Sequence, residues 1–155
     1  MNDAHYHLIL NHLPIIFPLV GAIVMMVGYL SKSEAVKRTG YLIFVLGAVC
    51  TLLAVVTGEG AEKYVRNING FDHDYIEAHE EAAETFAMLS YILGAIAIVG
   101  IWASYTKKKI SNVIAAISFV LAIVVLLFAQ QAGTTGGEIR HDEIRQGASV
   151  HSSSE

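Results

Sequence analysis

Four stretches of the chain run almost without polar side chains: about Leu13 to Leu30, Tyr41 to Thr57, Thr85 to Tyr105 and Ile110 to Ala129. None carries a fixed charge. Each is close to the roughly 20 helical residues that cross a hydrocarbon core of about 30 Å. Proteins span lipid as helices or as closed barrels, and uninterrupted runs rather than short alternating segments predict helices. The links Ser31 to Gly40 (SKSEAVKRTG) and Thr106 to Lys109 (TKKK) are short enough to pair neighbouring helices antiparallel. Residues 58–84 form the one long link. The expected fold is therefore all-α: an integral membrane four-helix bundle of two antiparallel hairpins over residues 1–146. The polar tail 147–155 (GASVHSSSE) is expected to be disordered.

Composition agrees. Of 155 residues 54% are hydrophobic and 15% charged, against about a quarter charged in soluble domains. Ten basic residues against 14 acidic ones, with no basic stripe, argue against nucleic-acid binding. The single Cys50 excludes an intrachain disulfide, and there is no C-x-x-C-H for covalent haem.

Charge placement gives an orientation. Lys32, Lys37 and Arg38 in the first short link and Lys107, Lys108 and Lys109 in the third are six of the ten basic residues. By the positive-inside rule these links face the cytoplasm. Both termini and the long link are then non-cytoplasmic, in a multi-pass protein of a bacterial inner membrane. The start MNDAHYH has no positive n-region, which argues against a cleaved signal peptide. All seven histidines and every acid but Glu34 fall on the non-cytoplasmic side.

Counting about 20 residues outward from the lysine links places one polar group per helix at a common depth. The groups are Asn11 with His12, Glu59 with Gly60, Glu84 with Thr85, and Gln130. One to two turns further out lie His5 and His7, Glu62, His79 to Glu81, and Glu138 with His141. Ionisable groups at membrane depth are costly and mark functional sites by default. The expected ligand set is His12, Glu59, Glu84, His79, Glu138 and His141, with His12 and Glu59 foremost because water gives out at their level. Two cofactors fit: a transition metal ion, iron or zinc, held by imidazole and carboxylate, or haem b between His12 and His79. No His-Glu-x-x-His is present. The plainer reading takes these groups as interfacial polar residues at helix ends.

The pattern resembles a bacterial four-helix membrane domain family of unknown function. That family has a V-H-F-P-I motif opening the first helix, Thr-Gly closing the second, a His early in the third and Gly-Gly with Tyr or His after the fourth. The matching residues are Asn11-His12-Leu13-Pro14-Ile15, Thr57-Gly58, His79, and Gly136-Gly137 with His141. Some members are fused to Rieske iron–sulfur domains, so the resemblance implies a setting in membrane electron transfer. The expected partners are the lipid bilayer and respiratory or other redox membrane proteins, and a homo-oligomer is compatible with the small-residue helix faces. The alternatives are a small proton or ion transporter and a non-catalytic subunit of a respiratory complex. No enzymatic reaction can be assigned from these residues.

Overall fold

A computed structural model describes residues 3–65, 73–106, 108–139 and 141–145. These residues form helices α1 (Asp3–Leu10), α2 (Leu13–Leu30), α3 (Glu34–Val65), α4 (His73–Thr106) and α5 (Lys108–Glu138), followed by a 3-10 turn at Asp142–Ile144. Four helical segments are long and apolar enough to cross a membrane, α1 and α2 together forming the first. The tail 147–155 lies outside the described residues.

The apolar runs mark only the middles of these helices. At 1.5 Å per residue the 34-residue α4 is about 50 Å long, well beyond a hydrocarbon core. Helix-favouring Glu34-Ala35 starts α3 straight after a turn at Ser31–Ser33, so most of the expected first link is helix. Lys32 makes that turn with φ 53°. The long link shortens as well, since α3 continues to Val65 and α4 begins at His73. Asp74 lies in the first turn of α4, where a carboxylate suits the helix dipole.

The amino-terminal helix is broken at Asn11–His12. Pro14 sits in the first turn of α2, where its missing N–H costs nothing, but a continuous helix would need that N–H for the Leu10 carbonyl. The His12 carbonyl restarts the ladder by accepting from Ile15 at 3.2 Å and Ile16 at 3.0 Å.

Helices α2 and α3 pair as one hairpin and α4 and α5 as the other. Contacts of α3 with α4 and of α2 with α5 close the ring, while α1 packs on α3. Consequently α2 and α4 stand on one diagonal and α3 and α5 on the other. Small residues permit the close approach: a Cβ on Gly94 would lie 2.6 Å from the Ala48 Cβ, so a larger residue there would force α3 and α4 apart. Met25, Phe44, Leu93 and Val125 are fully buried in the middle. The outward faces carry exposed Val20, Leu52, Ile98, Val120 and Leu127, as a lipid-facing surface requires.

The lysine-link end holds a polar cluster that the hydropathy pattern hides. Lys37 is completely buried, its Nζ donating to Glu34 Oε1 at 2.7 Å and Asn112 Oδ1 at 2.6 Å. Ser111 donates to the other Glu34 oxygen at 2.8 Å, and the Tyr41 hydroxyl donates to the Ser111 carbonyl at 3.2 Å. These bonds tie α3 of the first hairpin to α5 of the second.

Candidate functional site

The residues expected to converge at the opposite end mostly do not. His12, Glu59 and Glu84 are exposed, at the level where the helices leave the apolar zone. Glu138 is half-buried and its backbone carbonyl accepts from Arg145 Nε at 2.8 Å. His141 is exposed and bonds through Nδ1 to Glu143 Oε1 at 2.9 Å. That surface contact, after the bond from its own amide, holds the Glu143 carboxyl below its ordinary range. Among the described residues no group of three or more His, Cys, Asp or Glu stands close enough to hold a metal ion. The expected set His12, Glu59, Glu84, His79, Glu138 and His141 is thus dispersed. The reason is rotational: equal depth along a helix says nothing about which way a side chain faces.

His79 is the member that does face inward. Its ring lies against α5, where Nδ1 meets the Ala132 carbonyl at 3.1 Å and Thr135 Oγ1 at 3.2 Å. The side chain of Gly136 is missing for a reason, since a Cβ there would come within 3.0 Å of His79 Cε1. Thr135 directs its own hydroxyl proton to Gln131 or Ala132 carbonyls one turn back. Both neighbours of Nδ1 are therefore acceptors, and Nδ1 must carry the proton. That fixes the tautomer and leaves the Nε2 lone pair available, the arrangement typical of ligating histidines.

A second histidine, His7 on α1, has the same surroundings. Its Nδ1 meets the Ala54 carbonyl of α3 at 3.0 Å and Thr57 Oγ1 at 3.4 Å. Thr57 back-bonds to Leu53 or Ala54, and a Cβ on Gly58 would lie 3.2 Å from His7 Cε1. The same reasoning leaves His7 with an open Nε2. The His7 ring lies near enough to His79 to act on it electrostatically. One turn along from His7, at Asn11, the side-chain oxygen is buried with no partner among the described residues.

His7 stood among the outer-layer groups of the depth count but outside the expected ligand set. A readable signal marks it: Ala-x-x-Thr-Gly occurs at Ala54 to Gly58 and again at Ala132 to Gly136, once for each inward histidine.

A family model described as a predicted membrane protein, DUF2231, matches residues 5–143. The chain belongs to this family. DUF2231 as matched here takes in all four membrane-crossing helices, both histidines and both Ala-x-x-Thr-Gly segments. Comparison with curated proteins and with solved structures gives no match.

Proposed function

We propose that this integral membrane protein carries a transition metal or haem b at its histidine end and serves in membrane-associated electron transfer. The observation that carries this reading is the state of His79: inward-facing, fixed in one tautomer and offering Nε2 as a ligand. The small residues Ala132 and Gly136 let the ring seat closely against α5. An ion path through the bundle is less well supported, because Met25, Phe44, Leu93 and Val125 fill the middle with apolar atoms.

The lysine links would lie on the cytoplasmic side and the histidine end on the other, following the Lys/Arg bias. In a Cys50→Ala background, a membrane-impermeant thiol reagent added from outside should label Glu143→Cys and spare Ser33→Cys. The opposite pattern reverses the orientation.

The cofactor is tested by purifying the protein in detergent, recording absorption before and after reduction, and measuring bound elements. The reading expects a reducible Soret band or a stoichiometric transition metal, lost in His79→Ala. Folded protein holding neither contradicts it.

A further inference from the structure

The two hairpins are copies of one another. Every buried residue of α2, namely Pro14, Pro18, Gly21, Ala22, Met25 and Gly28, falls on a buried residue of α4 when shifted by 72 positions. The same shift carries His7 onto His79. In the second helices a shift of 78 carries buried Lys37, Gly40, Phe44, Gly47, Thr51 and Ala54 onto buried Ala115, Ser118, Ala122, Val125, Ala129 and Ala132. It also carries Thr57-Gly58 onto Thr135-Gly136. The six residues of difference between the two shifts lengthen α4 and α5 at the lysine end, where α4 runs on to Thr106 and α5 begins at Lys108. Both first helices run from the histidine end to the lysine end, so the repeats are parallel and their pseudo-two-fold axis lies along the bundle.

This symmetry restricts what can bind. His7 and His79 occupy equivalent positions of the two repeats, each with Nδ1 tied to its own hairpin partner and Nε2 without a partner among the described residues. A ligand between them would meet one imidazole from each repeat. A zinc or non-haem iron ion would need further protein ligands, and no third His, Cys, Asp or Glu joins the pair among the described residues. Haem b supplies four equatorial nitrogens itself and needs only two axial groups. The small residues Ala54 and Gly58 on α3 and Ala132 and Gly136 on α5 seat the two rings close against their own hairpins. One turn from His7, the Asn11 side-chain oxygen is a further buried polar atom with no partner among the described residues.

We infer that His7 and His79 are the two axial ligands of one haem b held on the pseudo-two-fold axis between the hairpins. The inference rests on the reading of a cofactor at this end and goes further by naming its class and its second ligand. With both axial positions filled by protein, the iron has no open site for substrate, which suits electron carriage rather than catalysis.

The test compares haem content and spin state in wild type, His7→Ala, His79→Ala and His12→Ala, with His7→Gly supplemented by free imidazole. Wild type should hold one low-spin haem per chain. His7→Ala and His79→Ala should each lose the low-spin spectrum and retain at least tenfold less haem, while His12→Ala matches wild type. Imidazole should restore the low-spin spectrum to His7→Gly, which a folding defect would not allow. A low-spin spectrum surviving in His7→Ala overturns the inference. So does wild-type protein holding a stoichiometric metal ion without haem, an outcome that leaves the preceding reading standing. Absence of both haem and metal overturns both.

Discussion

At the scale of single residues, orientation around the helix outweighs depth. His12 and His7 are little more than one turn apart, yet His12 is exposed at the helix break and His7 bonds to the Ala54 carbonyl. Desolvation favours the deeper residue only if it faces inward, and that is set by packing. Lys37 shows the converse. It belongs to a link that reads as polar and solvated, but its ammonium is fully buried against Glu34 and Asn112. Removing one partner of a buried ion pair leaves the other charge uncompensated, at about 3–5 kcal/mol when both are fully enclosed. The Glu34 side chain retains 20% exposure, so water offsets part of this. Lys37→Met should therefore lower stability by about 2 kcal/mol, and adding Glu34→Gln should recover much of it. Thermal unfolding in detergent, followed by circular dichroism, measures both, and an unchanged melting temperature for Lys37→Met would show that the cluster contributes little.

At the scale of elements, hydropathy located the spans well because burial in lipid demands long apolar runs, and α2 coincides with the expected Leu13 to Leu30. It was blind to the helical ends, where sequences such as YIEAHEEAAE continue a helix in water through Ala and Glu rather than through an apolar pattern. The proposed site lies on those ends. The depth count treated each helix as a single polar point and so could not set His7 beside His79. The internal repeat carries that pairing and is legible in the chain, in the two Ala-x-x-Thr-Gly segments and in the 72-residue interval shared by His7–His79 and Gly28–Gly100. Self-comparison finds such a repeat where motif-by-motif reading does not.

At the scale of the whole molecule, the two ends do different work. The lysine end is tied across the hairpins by the Glu34–Lys37–Asn112 cluster, with Arg38 stacked 4.3 Å from the Tyr105 ring centre. At the histidine end each imidazole is held within its own hairpin, and nothing shown between His7 and His79 bonds one to the other. The proposed haem would join the two hairpins at this end. The most direct measurement is near-infrared magnetic circular dichroism of the oxidised, purified protein, because its charge-transfer band reports the axial ligand pair of a low-spin haem. The account predicts the band of two neutral imidazoles. A band of histidine with another ligand, a high-spin haem, or no haem at all would contradict it.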